Sequence, residues 1–237
     1  MEQLKTFFAG KPISKVLDIG TGSGDFIKLI SPLFPENTLI TGIDPSEEAL
    51  AEARKGNISS NVEFIRMEGE TLDFDDQSFD VVCLSNAMHH LASVDKTFAE
   101  MKRVVKSEGW LLIAEIVSDG LNEAQENQKM WHHFRSYVDR KEGITHKETW
   151  TESEVVNMIT ENGIKIVFSF SYNRMAVPET DPEKLQARTD TFTGNLARLE
   201  GLPEYAAKEE LLEIFKNRIQ EHGFQLARQI VTLGQVR

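Results

Sequence analysis

Apolar and polar positions along the first half of the chain alternate between two spacings. Short apolar runs at Val16–Ile19, Thr38–Ile43, Val62–Met67, Phe79–Leu84 and Trp110–Ile116 have the length and β-branched content of strands. Between them, Asp25–Leu33, Ser46–Lys55 and Ser93–Val105 set Leu, Ile, Ala, Phe and Met at three- and four-residue intervals, which gathers them on one helix face. Strands that alternate with amphipathic helices need right-handed crossovers and form a parallel sheet covered on both faces. The pattern predicts an α/β fold with a doubly wound, mostly parallel sheet.

After the fifth strand the rhythm breaks. Residues 121–141 read as one long polar and aromatic helix, stopped at Gly143. Thr151–Asn162 reads as a further helix, with Thr151 and Glu154 as a capping box and Gly163 past its end. Ile164–Ser169 would be the sixth strand. Asp181-Pro182 then opens a helix with an acid as N-cap and proline at the first helical position, and Leu185, Thr189, Phe192, Leu196 and Leu199 fall on one face. Pro203–His222 reads as another helix closed by Gly223, and Gln225–Val236 as a seventh strand. A chain of 237 residues is short for two independent cores, so a single domain over 1–237 is expected, with helical insertions at about 118–150 and 178–222.

Composition narrows the classes. Hydrophobic residues at 40% and charged residues at 27% are ordinary for a globular protein, with no run of membrane-spanning length and no leader-like apolar stretch near Met1. A cytoplasmic protein without membrane insertion is expected. The formal net charge of −12 repels a phosphate backbone, so a nucleic-acid partner is not expected. The single cysteine, Cys83, lies in an apolar run and reads as a packed core thiol.

The chemistry concentrates where the first strand meets the first helix, in Val16-Leu17-Asp18-Ile19-Gly20-Thr21-Gly22-Ser23-Gly24-Asp25-Phe26. Three glycines at alternate positions allow a sharp turn and close approach of backbone to a ligand. The dinucleotide fingerprint would need its last glycine at position 25. Asp25 stands there instead, and an acid beside a helix N-terminus repels pyrophosphate while tolerating a ligand that carries an amino group and a sulfonium.

Four stretches, VLDIGTGSGDF, TGIDPSEEAL, EGETLDFDDQSFDVV with SNAMHHL, and EGWLLIAE, carry a resemblance over roughly residues 14–117. In order and spacing they resemble the class I S-adenosylmethionine-dependent methyltransferases, whose sheet is Rossmann-like and seven-stranded, and more narrowly the small-molecule branch related to the ubiquinone and menaquinone biosynthesis methyltransferases. The resemblance implies that Asp18 and the loop of Gly20, Thr21, Gly22 and Gly24 hold the methionine part of S-adenosylmethionine. It implies that Asp44, with Pro45 beside it, accepts the ribose hydroxyls. Glu68, in place of the commoner Asp, would meet the adenine with Gly69 and Glu70, and Ser85 and Asn86 would flank the methionine end. Asp73 replaces a proline frequent at its position, which is expected to alter a loop.

Methyl transfer from a sulfonium needs alignment and exclusion of water more than a base. Where the acceptor carries a proton, His89 and His90 after the fourth strand are the candidate catalytic bases. In the insertion helix Trp131, Phe134 and Val138 make an apolar face, and Trp131, His133 and Tyr137 are the candidate substrate contacts. His132, Asp139 and His146 recur every seven residues, about 10.5 Å of helix rise apart. That is too far for one ion unless the chain bends at Gly143, and no metal is expected. The acidic surface and the aromatic helix suggest a small, partly apolar acceptor. Two rivals stay open: an NAD(P)-dependent oxidoreductase, and a protein that binds S-adenosylmethionine without catalysis.

Overall fold

The computed structural model describes residues 1–56 and 59–236. The chain divides into two compact units, one of Met1–Glu115, Val156–Phe170 and the terminal stretch from Val231, the other of Ile116–Val155 and Ser171–Ile230.

The first unit is built on β1 (Lys15–Ile19), β2 (Leu39–Asp44), β3 (Val62–Arg66), β4 (Phe79–Ser85), β5 (Val105–Ile116), β6 (Ile164–Tyr172) and β7 (Gln229–Val236). They form one seven-stranded sheet in the order β3-β2-β1-β4-β5-β7-β6. The pairs β1 with β2, β1 with β4, β2 with β3 and β4 with β5 are parallel. Its helices are α1 (Glu2–Phe8), α2 (Asp25–Ile30), α3 (Glu47–Lys55), α4 (Val94–Val104) and most of α6 (Glu152–Glu161). From β1 the chain winds outward one way through β2 and β3, and from β4 the other way. The loops after β1 and β4 therefore diverge at the switch point where α/β sheets hold ligands.

Sequence and structure differ at several ends for local reasons. Pro32 cannot donate to a helical ladder, so α2 stops at Ile30 and Ser31–Leu33 is a tighter 3-10 turn. β5 begins at Val105, ahead of Trp110, because Val105 pairs with Phe79 before an irregularity in register. α1 was not apparent from periodicity. It is held by Leu4 and Phe8, buried one turn apart, and by Phe7 edge-on to Trp110 at 4.6 Å and Phe168 at 5.5 Å between ring centroids.

The second unit contains α5 (Glu123–Lys141), α7 (Pro182–Ala197) and α8 (Tyr205–His222). Asn122 caps α5 in a reciprocal box with Gln125, and Asp181 caps α7 through the amides of Glu183 and Lys184. The three helices enclose a core of their own, in which Phe192 stacks between Phe134 at 4.2 Å and Phe215 at 4.7 Å. The sequence reading treats the two helical stretches as separate insertions; the structure packs them on one another. Among the described residues no helix is long and apolar enough to cross a membrane.

Candidate active site

In the loop after β1, Gly20, Gly22 and Gly24 all have left-handed backbone, with φ of 67°, 53° and 77°. A Cβ on Gly20 would lie 2.6 Å from the Cβ of Ala87, so the β1 and β4 loops meet only because residue 20 has no side chain. Asp44, at the end of β2, closes the turn from the other side. Its Oδ2 accepts the Gly22 N–H at 2.9 Å and its Oδ1 accepts the Ser46 N–H at 2.9 Å. Gly69 is equally constrained, since a Cβ there would meet Ile19 Cγ2 at 2.8 Å.

Asp18 is the anomaly of this region. It is 1% exposed, and neither carboxylate oxygen has a hydrogen-bond partner among the described residues; Thr21 Oγ1 likewise has none. Burial pushes its pKa from 3.8 up to about 7; the nearby Thr21 hydroxyl offsets part of that rise and the Asp44 charge adds to it. A buried acid without partners is costly, and a ligand that brings a cation and N–H donors removes the cost. The α-amino group of S-adenosylmethionine has that chemistry, so the residues present fit the group.

The remaining predicted contacts separate. Pro45 and Glu68 are exposed, and Ser85 and Asn86 are half-buried. Asn86 takes a left-handed φ of 50° while its N–H donates to the Ala114 carbonyl at 2.8 Å. Glu70 is engaged elsewhere: its Oε1 accepts the Ala92 and Ser93 N–H groups at 2.9 and 3.3 Å, beside the start of α4. Of the two histidines, His90 is exposed and His89 is buried, with Nδ1 3.0 Å from Glu115 Oε1; the other oxygen of Glu115 accepts the Met88 N–H at 3.0 Å. Sequence reasoning missed Glu115, although its signal was visible as an acid closing the apolar run Leu111-Leu112-Ile113-Ala114.

In the second unit, a cavity of about 550 Å³ is lined by Met130, His133, Phe134, Tyr137, Lys208 and Leu211, with further charged side chains around them. His133 and Tyr137, one turn apart on α5, both line this cavity. The Thr149 N–H donates to His133 Nε2 at 3.2 Å, which assigns the ring proton to Nδ1. Burial holds the His133 pKa below its ordinary value. The Tyr137 hydroxyl donates to Glu204 at 2.7 Å, and the Lys208 ammonium lies 4.2 Å from the ring centroid. Trp131 lies elsewhere, packed edge-on to Phe224 at 6.4 Å with the Arg188 guanidinium over its ring.

The seven-residue spacing of His132, Asp139 and His146 turns out to be no obstacle to their meeting. α5 ends at Lys141, Gly143 turns the chain with a φ of 79°, and Ile144 N–H closes on the Asp139 carbonyl at 3.0 Å. The returning strand of chain brings His146 Nδ1 to 2.7 Å from Asp139 Oδ2, and His146 Nε2 to 3.1 Å from His132 Nε2.

Residues 17–113 match the family described as a methyltransferase domain. Over 104 residues the chain is 34% identical to the uncharacterized methyltransferase YcgJ of Bacillus subtilis, covering 43% of this chain and 40% of that protein. Over 109 residues it is 30% identical to the ubiquinone/menaquinone biosynthesis C-methyltransferase UbiE of Shewanella pealeana, covering 44% and 43%. The chain thus aligns with less than half the length of these curated relatives. The crystal structure of the Bacillus subtilis YcgJ protein superposes with a TM-score of 0.60 at 20% identity, over 100% of this chain and 98% of that one. The glycine loop and the acid at the end of β2 thus lie within the stretch that matches a methyltransferase domain, and the seven-stranded sheet around them has the fold of the solved Bacillus subtilis neighbour.

Proposed function

We propose that the protein transfers a methyl group from S-adenosylmethionine to a small, partly apolar molecule. The observation that carries this reading is the buried, unpartnered carboxylate of Asp18 under a glycine loop closed by Asp44. Two acids this close suit a cationic ligand and oppose the pyrophosphate of a nicotinamide dinucleotide, which argues against an oxidoreductase. Asp18 and the loop amides hold the amino-acid end, Asp44 takes the ribose hydroxyls, and Glu68 with Gly69 borders the base.

When bound, S-adenosylmethionine supplies a methyl group already activated on a sulfonium. The chain's contribution is alignment and dryness. For an acceptor atom that carries a proton, His89 is the candidate base, with Glu115 Oε1 3.0 Å from its Nδ1 as the positioning group. The name of the UbiE relative, a ubiquinone/menaquinone biosynthesis C-methyltransferase, supports an acceptor of this partly apolar chemical class. The net charge of −12 supports an acceptor other than a nucleic acid, and the single cysteine, Cys83, fits a reducing, cytoplasmic location.

A thermal-shift titration with S-adenosylhomocysteine and S-adenosylmethionine, against NADH and NADPH, tests the cofactor. Ligand at about 100 times its Kd stabilises by about 2.7 kcal/mol, a rise of roughly 5–10 °C for a chain of this size. A rise with the nicotinamides alone overturns the reading. A rise with the adenosyl compounds, but no methylated product from a panel of small phenols, quinols and amines, favours binding without catalysis.

A further inference from the structure

We propose that His132 and His146 are ligands of a first-row divalent transition-metal ion of the zinc class, with Asp139 as the outer carboxylate that orients His146. The two histidines and Asp139 all belong to the second unit.

Two buried imidazoles converge there through the same ring atom. Their Nε2 nitrogens are 3.1 Å apart with the rings at 80° to each other. Two imidazole nitrogens bonded to one ion at about 2.0–2.1 Å would lie about 2.9 Å apart at a right angle and about 3.4 Å apart at a tetrahedral angle. The observed separation falls between these values. Asp139 Oδ2 takes the Nδ1–H of His146 at 2.7 Å, so the lone pair of His146 is on Nε2, the atom facing His132. A carboxylate on the far nitrogen of a ligating histidine is the recurring outer contact of imidazole metal sites. Arg198 in turn fixes Asp139 at 2.8 Å, and the Arg140 guanidinium holds the His146 carbonyl at 2.8 Å, so the pair is braced from both ends of the turn. Imidazole donors suit Zn, Cu, Ni and Fe rather than Mg or Ca.

The competing account of the same geometry is a single N–H···N hydrogen bond between neutral rings, and metal titration of the full chain separates the two. Protein stripped with a chelator and dialysed is titrated with Zn²⁺ against a chromophoric chelator, and with Co²⁺ followed by its visible absorption. The expected result is one ion per chain, with affinity at least 100-fold weaker in His132→Ala and 10- to 100-fold weaker in Asp139→Asn. Nitrogen-15 spectra of the Zn²⁺-loaded wild-type protein should report ligation at Nε2 of both rings, a readout that needs no variant to fold. Wild-type protein that binds Zn²⁺ no better than His132→Ala, or that shows no change at either Nε2, overturns the proposal and leaves the hydrogen bond.

Discussion

Two buried aspartates, one in each unit, have opposite surroundings. Asp139 receives His146 at 2.7 Å and Arg198 at 2.8 Å, and although burial works to raise its pKa, these partners outweigh it and hold the carboxyl below the ordinary range. Asp18 receives no hydrogen bond among the described residues, and burial raises its pKa to about 7. The first acid is satisfied by its own chain and braces a turn. The second is left short of a partner, at the switch point of a sheet. The contrast singles out Asp18 as the acid short of a partner, which is where the proposed reading puts the cationic end of the cofactor.

Substitution can break this comparison, and the largest effect is expected at the satisfied acid. Asp139→Leu leaves the His146 Nδ1–H without its acceptor and removes one of the Arg198 partners, and should cost about 3 kcal/mol, read as a fall of roughly 10 °C in the thermal midpoint. Asp18→Asn should do the reverse in ligand-free protein at pH 8, raising stability by about 2 kcal/mol: removing the buried charge relieves about 4 kcal/mol, and the unpartnered amide that replaces it offsets part of that. A fall in both variants would end the distinction. The same Asp18→Asn protein should bind S-adenosylhomocysteine at least tenfold more weakly by calorimetry, the loss of a charge-assisted contact worth about 1.5–3 kcal/mol. Asp44→Ala should weaken that binding by about 1–3 kcal/mol, and unchanged affinity would mean the ribose lies elsewhere.

The dependence on pH sharpens the contrast further. The folded pKa of Asp18 lies above its unfolded value near 3.8, so its destabilising contribution is absent below about pH 4 and complete above pH 7. The advantage of Asp18→Asn over wild type should therefore grow between pH 5 and pH 7.5 in denaturant titrations, and a flat difference would show that Asp18 is already ionised at pH 5. The smallest effect is expected at Gly143→Ala, about 1–2 kcal/mol for a left-handed residue, with the thermal midpoint of the variant as the measure.

The same contrast explains what was legible in the sequence. The glycine loop, Asp18 and Asp44 are close in sequence or fixed by parallel register, so strand and helix periodicity sufficed to bring them together. Glu70 and Glu115 were harder because their role depends on pairing across loops: Glu70 serves the amides of Ala92 and Ser93, and Glu115 serves Met88 and His89. In the second unit the helices and the Asp181 cap could be read, but the Asn122 cap and the packing partners could not. The helical rise separates His146 from His132 unless the chain bends at Gly143, and it is that bend the structure makes; Trp131 shares a helix with His133 and Tyr137 but packs on Phe224. Helix geometry fixes which residues share a face; it does not say which chain segment returns to cover it.

The unpartnered carboxylate of Asp18 also has a calorimetric consequence. With a pKa of about 7, the group is about half protonated at neutral pH, and an arriving ammonium requires it ionised. Each binding event at pH 7 should then release about half a proton to the medium. The apparent heat of binding would differ between phosphate and Tris in proportion to their ionisation enthalpies, and that difference would vanish in Asp18→Asn.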